Sequence, residues 1–226
     1  MSVIRFDGVG HRFGDELVVD GVDLELTEQR IGIVGANGSG KSTLARMVNG
    51  LVTPTTGTVT FDGLDVSRHG REVRRRVGFV FTNADTQIVM PTVREDVAFT
   101  LRRHRLDAAT AAARVDAVLD RFGLAELADR PAHRLSGGQK QLLALASVLV
   151  GRPDLVIADE PTTLLDARNA RLIAEHFASL DEQVIVVSHQ LELLESFDRV
   201  IVMEAGRVVA DDVPAVALDA YRALIG

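Results

Sequence analysis

The 226-residue sequence contains no cysteine and no tryptophan, and it has a single tyrosine. Without cysteine, the chain can form neither a disulfide bond nor a thiolate-ligated metal site. Positive charge is not in excess either, since 25 Lys and Arg stand against 32 Asp and Glu, a formal net charge of −7. Proteins that bind nucleic acid usually carry a strongly basic surface. We therefore expect no nucleic-acid partner.

Long apolar runs are also absent. The longest run, residues 142–150, is far shorter than the roughly 20 residues of a membrane-spanning helix. The N-terminus shows no charged segment followed by an apolar leader, so we expect the chain not to cross a membrane by itself. Arginine is clustered within residues 71–76 and 102–105, each time close to acidic residues. We interpret both clusters as solvated faces, with docking of a partner as the alternative.

Residues 35–43 read Gly-Ala-Asn-Gly-Ser-Gly-Lys-Ser-Thr and fit the phosphate-binding pattern G-x-x-x-x-G-K-[ST]. The apolar run 31–34 precedes them, and apolar residues follow at helical spacing until Gly50. The segment therefore joins a strand to a helix, where backbone N–H groups and the helix start converge on an anion. A Gly/Ser turn that merely matches the pattern lacks this context. The candidate nucleotide contacts are Gly35, Asn37, Gly38, Ser39, Gly40, Lys41, Ser42 and Thr43, and the Ser42 hydroxyl is also a candidate magnesium ligand.

A pair of acidic residues follows a second apolar run, Leu155-Val156-Ile157-Ala158. The run predicts a buried strand, which places Asp159 and Glu160 at its carboxyl end, where open α/β sheets bind ligands. Successive strand residues point to opposite sides, so the two carboxylates have different tasks. We assign Asp159 to magnesium and Glu160 to orienting and deprotonating an attacking water. Standing alone, such a pair would equally suit a helix cap or a solvated turn.

The order of predicted elements indicates an α/β fold. Strands are predicted at 3–6, 22–26, 31–34, 57–61, 155–158, 184–187 and 200–203. A helix is predicted over 107–122, ending at Gly123, and an amphipathic helix carries Leu172, Ile173, Phe177 and Leu180. The simplest interpretation is a helical insertion in a nucleotide-binding α/β fold.

Between the phosphate loop and the acid pair stands Leu135-Ser136-Gly137-Gly138-Gln139, which opens a predicted helix and presents several donors to phosphate. In this order, the three motifs resemble the nucleotide-binding subunits of ATP-binding-cassette (ABC) transporters. The resemblance implies one ABC ATPase domain, 1–226, that binds ATP and Mg²⁺. Its P-loop NTPase core, with an N-terminal antiparallel β subdomain, would comprise roughly 1–81 and 151–226, and an inserted α-helical subdomain roughly 82–150.

The resemblance also implies a head-to-tail dimer, in which the turn formed by Ser136, Gly137, Gly138 and Gln139 caps the ATP of the other subunit. Asp166 lies in the segment that matches the dimer-contacting loop of the family. His189 matches the histidine that contacts the γ-phosphate and holds the geometry of the attacking water. Phe13 matches the aromatic residue that stacks on adenine, with core packing as the alternative.

One position departs from the family pattern. Thr82 stands where a glutamine usually contacts magnesium and the attacking water, and threonine has a shorter reach. Either a water molecule bridges the gap or Gln87 moves in. The remaining histidines match no catalytic position, and we expect structural or solvent-facing roles for His11, His69, His104, His133 and His176.

Within the family, residues 81–99 and 131–134 resemble the energy-coupling-factor importers of vitamins and transition metals, and residues 139–146 and 160–166 resemble their biotin-uptake ATPases. The resemblance implies a second ATPase subunit, a multi-span membrane scaffold (T) subunit and a small substrate-binding (S) subunit, with this chain on the cytoplasmic face of the membrane. The end at Gly226 suits the shorter, homodimeric biotin type. The alternatives are import of cobalt, nickel or another vitamin, efflux, and a soluble assembly ATPase for iron–sulfur scaffolds. Cassettes of DNA repair would need a long coiled coil that this sequence lacks.

Overall fold

The computed structural model describes all residues from Met1 to Gly226. Its strands are, in chain order, β1 (Ile4–Phe13), β2 (Glu16–Leu26), β3 (Arg30–Gly35), β4 (Thr56–Phe61), β5 (Leu64–Asp65), β6 (Val77–Val80), β7 (Leu155–Asp159), β8 (Gln183–Val187), β9 (Arg199–Glu204) and β10 (Arg207–Asp212). An antiparallel sheet has the order β2-β1-β4-β5, and a second sheet has the order β10-β9-β3-β8-β7-β6. In the second sheet all neighbours are parallel except β9 and β10.

The helices are α1 (Lys41–Val48), α2 (Val66–Arg76), α3 (Val93–Leu101), α4 (Ala108–Arg121), α5 (Gly137–Leu149), α6 (Ala167–Ala178), α7 (Leu191–Leu194) and α8 (Pro214–Ile225). Short 3-10 turns lie at Ala84–Thr86, Ala125–Leu127 and Ala132–Arg134. Between β6 and β7 the chain forms helices and the short 3-10 turns, and it adds no strand to either sheet. The predicted fold class is thus confirmed: a mixed α/β fold with an N-terminal antiparallel sheet and a helical insertion.

Local sequence sets the ends of the inserted helices. Asp107 caps α4 by accepting a hydrogen bond from the Thr110 N–H at 2.9 Å, and Gly123 follows the helix with a φ of +64°. Helix α5 begins with a reciprocal capping box, in which Ser136 and Gln139 each bond the other's backbone N–H. The helix predicted over 107–122 is therefore observed with its ends shifted by one residue.

Two apolar clusters lie on opposite faces of the parallel sheet. One joins that face to the antiparallel sheet through α1 and includes Ile33, Leu44 and Phe61. The other packs α3 to α6 and α8 against the opposite face and includes Val34 and Leu143. Both faces of the sheet are covered, as expected for parallel strands that read as nearly continuous apolar runs.

The register of the parallel strands brings three chain segments to one edge. Ile33 and Asp159 both pair with Val187, so β3, β7 and β8 end side by side. The backbone N–H of Glu160 donates to the Val187 carbonyl at 2.9 Å, and that of Ser188 donates to the Ile33 carbonyl at 3.1 Å. The residues that follow these strands therefore gather at a single site.

Several elements differ from the sequence prediction. Strand β2 starts at Glu16 rather than at residue 22, because it forms a long hairpin with β1 in which Phe13 pairs with Glu16. The sequence patterns predicted neither α2, which buries only Val66 and Val73, nor the four-residue strand β6. Strand β10 and helix α8 also lacked a prediction, since both expose most of their residues. None of the helices has the length and apolar character required to span a membrane.

Candidate active site

The loop between β3 and α1 forms a tight cradle that only glycine allows. Gly38 and Gly40 have φ angles of +80° and +94°, in the left-handed region. A Cβ at Gly40 would lie 2.4 Å from the Val18 carbonyl oxygen, and one at Gly35 would lie 2.2 Å from that of Met203. The backbone of β2 and β9 thus encloses the loop.

Polar groups inside this cradle lack partners. Lys41 is 5% exposed, and its Nζ donates one hydrogen bond, to the Ala36 carbonyl at 3.0 Å, which leaves two of its three N–H groups free. The buried Ser39 hydroxyl has no hydrogen-bond partner at all. Because buried polar groups are almost always bonded, both observations suit a ligand rich in acceptor oxygens. The cradle therefore fits the phosphates of a nucleotide.

Beside the cradle lies an acidic residue that three side chains contact. The Ser42 hydroxyl donates to Asp159 Oδ1 at 2.6 Å, and the Arg46 guanidinium donates to Oδ2 at 2.8 Å. The Thr82 hydroxyl donates to the backbone carbonyl of Asp159 at 2.7 Å. Sequence reasoning missed Arg46, although its position four residues after Ser42 places both on one face of α1.

The donor set suits a hard cation that also binds phosphate. Ser42 and Asp159 supply oxygen ligands, whereas no group of three or more His, Asp or Glu side chains able to hold a metal exists in the structure. Magnesium usually takes one or two carboxylates and completes its shell with water and substrate phosphate. These residues could therefore hold Mg²⁺ together with a nucleotide, but not as a separate protein cage.

The second acidic residue has a different setting. Glu160 adopts a φ of +52°, which is strained for a residue other than glycine. Its Oε2 lies 2.7 Å from His189 Nδ1 and accepts a hydrogen bond from the Thr163 hydroxyl at 2.9 Å. A carboxylate fixed by two partners at the end of β7 can accept a proton from a water placed next to the phosphates.

The Ser-Gly-Gly turn lies at the start of α5, and its Ser136 side chain is exposed. A Cβ at Gly138 would lie 2.4 Å from Asn169 Oδ1, so glycine is needed for α5 to approach α6. Asn169 donates from its backbone and side-chain nitrogens to Asp166, at 2.9 and 2.7 Å, and these bonds hold the pKa of Asp166 below its usual value. No hydrogen bond joins the turn to the phosphate loop of the same chain.

Phe13 lies at the end of β1 and is 55% exposed. Its ring meets the edge of His11 with the ring centroids 4.5 Å apart. The alternative that Phe13 packs in the core is therefore wrong, and the ring is free to stack on a planar ligand.

Comparison with known proteins shows the family of the chain. The family model described as ABC transporter matches residues 19–163. The chain belongs to the ABC transporter family. A putative ABC transporter ATP-binding protein of Bartonella quintana is 48% identical over 98% of both chains. The biotin transport ATP-binding protein BioM of Rhizobium etli is 46% identical over 97% of both chains. In structure, the chain resembles CbiO1 of Clostridium perfringens, part of the ABC transporter complex CbiONQ, with a TM-score of 0.86 and 31% identity over 98% of this chain and 92% of CbiO1.

The ABC domain is an ATPase domain, so this ABC protein is an ATPase that binds ATP. The sequence resemblance to the biotin-uptake and energy-coupling-factor group is confirmed by the names that its relatives carry. The Glu160 and His189 side chains, which follow β7 and β8, lie 2.7 Å apart.

At Thr82, where this ABC protein departs from the family pattern, the structure bears on the expectation that Gln87 moves into the site. Its side chain does not point at Asp159. Instead, Gln87 Oε1 accepts from the Phe81 N–H at 3.1 Å, and Nε2 donates to the Phe79 carbonyl at 3.2 Å. Gln87 is thus committed to the backbone of the segment before Thr82, and the expectation that it moves into the site is wrong for this conformation.

Proposed function

We propose that this chain is the ATP-binding and ATP-hydrolysing subunit of an energy-coupling-factor importer, with biotin as the cargo. The observation that carries the ATPase chemistry is the 2.7 Å contact between Glu160 and His189 at the strand edge that also holds the phosphate cradle. The likeness to BioM over nearly the whole chain supports biotin.

The residues would divide the work as follows. The loop residues and Lys41 bind the phosphates of ATP, and Phe13 stacks on the adenine. Ser42, Asp159 and Thr82 would hold Mg²⁺, which would offset negative charge on the phosphates. Glu160 takes a proton from the attacking water, and His189 holds that carboxylate and contacts the γ-phosphate. The phosphate-contacting set consists of Gly35, Asn37, Gly38, Ser39, Gly40, Lys41, Ser42 and Thr43.

The second half of each ATP site would come from another copy of the chain. The helix start formed by Ser136, Gly137, Gly138 and Gln139 exposes its first two residues and fits phosphate, and Asp166 bonds Asn169, which lies against Gly138. We propose a head-to-tail homodimer in which each nucleotide is bound by the loop of one subunit and the turn of the other. ATP binding then closes the dimer, and loss of the γ-phosphate opens it.

The membrane scaffold would contact a groove of about 220 Å³ between α2 and the helical insertion. Arg74, Arg75 and Arg103 line it, and both burial and the nearby Arg75 lower the pKa of Arg103. Adjacent cationic groups repel each other, so a partner that supplies acceptors would stabilise them. This favours the docking alternative for the arginine clusters. The small substrate-binding subunit would reach the chain only through the scaffold, at the cytoplasmic face of the membrane.

The cargo is tested by isolating the tagged chain with its native membranes in mild detergent and identifying the bound proteins and small molecules by mass spectrometry. We expect a multi-span scaffold and a small membrane protein carrying biotin. The same scaffold with another vitamin or a metal ion would overturn biotin alone. Recovery of soluble partners only would overturn transport in favour of an assembly ATPase.

The chemistry is tested by Glu160→Gln, which removes the proton acceptor but keeps the shape of the side chain. We expect the variant to bind ATP and form the dimer, and to turn over at least ~10²-fold more slowly. Binding is measured by nucleotide titration, dimerisation by size-exclusion chromatography with light scattering, and turnover by phosphate release. Full activity of Glu160→Gln would contradict the assignment of Glu160 as the base.

A further inference from the structure

Two glutamine side chains bond the backbone of Phe81, the residue that precedes Thr82. Gln141, on the second turn of α5, is 3% exposed, and its Nε2 donates to the Phe81 carbonyl at 3.2 Å. Gln87 accepts from the N–H of the same residue at 3.1 Å. Both backbone polar groups of Phe81 are therefore bonded to side-chain amides from two different elements.

The bonds matter because Phe81 lies outside the sheet ladder. Strand β6 is the edge strand and pairs only with β7, and this pairing ends at Val80 and Ala158. From Phe81 onward the backbone needs other partners, since buried N–H and C=O groups are rarely left unpaired. The next residue is Thr82, whose hydroxyl donates to the Asp159 carbonyl at 2.7 Å. The orientation of the Phe81 peptide therefore sets where that hydroxyl points.

We infer that Gln141 and Gln87 are positioning residues for Thr82, and that Gln141 thereby links helix α5 to the strand end that carries Asp159. The inference rests on the proposed function, in which Thr82 and Asp159 surround the metal. Two hydrogen bonds form the link, Gln141 to Phe81 and Thr82 to Asp159, and the bond from Phe81 to Gln87 holds the same segment from its other side.

The arrangement explains how a short side chain serves at this position. A single side-chain torsion, χ1, sets the position of a threonine hydroxyl relative to its backbone. The backbone of Thr82 must therefore be held in place for the hydroxyl to reach its partner. Helix α5 also begins with the Ser-Gly-Gly turn, and Lys140 on its first turn bonds Asp85 at 2.6 Å in the same segment. A shift of α5 relative to the sheet must therefore either move the Phe81 peptide or break its bond to Gln141.

The test compares two buried glutamines that bond backbone groups. Gln141→Met keeps the length of the side chain and removes its donor. The control is Gln183→Met, since Gln183 is also 3% exposed and bonds Ser2 and Glu28 far from Thr82. Binding of Mn²⁺ to the ADP-bound chain is measured by electron paramagnetic resonance, and hydrogen–deuterium exchange is measured for residues 79–88. ADP affinity in EDTA and melting temperature report on the rest of the fold.

We expect Gln141→Met to weaken Mn²⁺ binding about threefold to tenfold, the range for loss of one hydrogen bond that acts indirectly. It should speed exchange in residues 79–88 and leave ADP affinity in EDTA unchanged, whereas Gln183→Met should change neither Mn²⁺ binding nor this exchange. Adding Gln141→Met to Thr82→Val should weaken Mn²⁺ binding no further than Thr82→Val alone.

Unchanged Mn²⁺ affinity in Gln141→Met, or an equal loss in the presence and absence of the Thr82 hydroxyl, would overturn the inference. A loss of Mn²⁺ affinity in Gln183→Met equal to that in Gln141→Met would overturn it as well, because general loosening of the fold would then be the cause. A wild-type chain that binds ADP but no Mn²⁺ would instead contradict the proposed metal site itself.

Discussion

The phosphate loop and the Ser-Gly-Gly turn are both glycine-containing starts of helices, yet they differ in what surrounds them. The loop is enclosed by β2 and β9, and it holds a buried lysine and a buried serine hydroxyl with unused bonding capacity. In the turn, Ser136 and Gly137 are exposed, and the Ser136 hydroxyl is bonded only within its own capping box. One region is enclosed by strands of its own chain, whereas the other is open to a second surface.

The largest effect on ATP affinity should come from adding a methyl group to the phosphate loop. Gly40→Ala forces a left-handed residue and a Cβ 2.4 Å from the Val18 carbonyl oxygen. Strain of about 3 kcal/mol corresponds to an approximately 10²-fold weaker affinity for ATP if it is borne by the bound conformation. Isothermal titration of the isolated chain with ATP measures this affinity, and circular dichroism checks that the variant is folded. ATP affinity equal to that of the wild type would show that the loop is not the phosphate cradle.

The matching change in the turn should separate binding from turnover. Gly138→Ala places a Cβ 2.4 Å from Asn169 Oδ1 and shifts the start of α5. We expect ATP affinity of the isolated chain to stay within about twofold, while turnover falls about tenfold, because a displacement near 1 Å outside the chemistry commonly costs 10–10². Phosphate release at saturating ATP measures it. Equal losses of affinity and turnover would remove the distinction between the two regions.

A smaller effect is expected at the exposed ring. Phe13→Ala should raise the KM for ATP about fivefold to tenfold at unchanged kcat, which corresponds to about 1–1.4 kcal/mol, the lower end of what one base stacked on an aromatic ring contributes. Phe13→Tyr should restore the wild-type KM, because it keeps the ring. Inorganic triphosphate has no base, so as a competitor of ATP it should have the same inhibition constant for the wild type, Phe13→Ala and Phe13→Tyr. A reduced kcat instead would place Phe13 in a role other than binding adenine.

The smallest effect is one of pH on the contact between α4 and α6. His176 lies against the Phe122 ring at 4.9 Å, and burial and then Arg121 lower its pKa, against the opposing charge of Glu175. The unfolded chain therefore binds a proton to this residue at a higher pH than the folded chain, so stability falls as pH drops below about 6.5. The melting temperature should decrease more steeply from pH 7.5 to 5.5 in the wild type than in His176→Gln. Parallel slopes would exclude His176 as a contributor.

Short-range patterns predicted the phosphate loop and the acid pair, because backbone geometry and strand ends there follow from adjacent residues. The contact of Glu160 with His189 was not predicted, since 29 residues separate them and family resemblance implied only that His189 contacts the γ-phosphate and holds the geometry of the attacking water. Sequence reasoning missed the Arg46–Asp159 ion pair and the Gln141–Phe81 bond, which exist only because α1 and α5 pack near the ends of β7 and β6. It also missed α2 and β10, whose exposed polar faces leave too little apolar periodicity to detect.

At Glu160, the left-handed backbone conformation favours glycine for stability, whereas the proposed activity requires the carboxylate. Glycine would adopt a φ of +52° without strain, so the chain would gain folding free energy by giving up this carboxylate. Selection for heat resistance alone would therefore favour replacing the residue that the proposed reaction cannot lose. A thermostable form of this protein would have to gain its stability elsewhere.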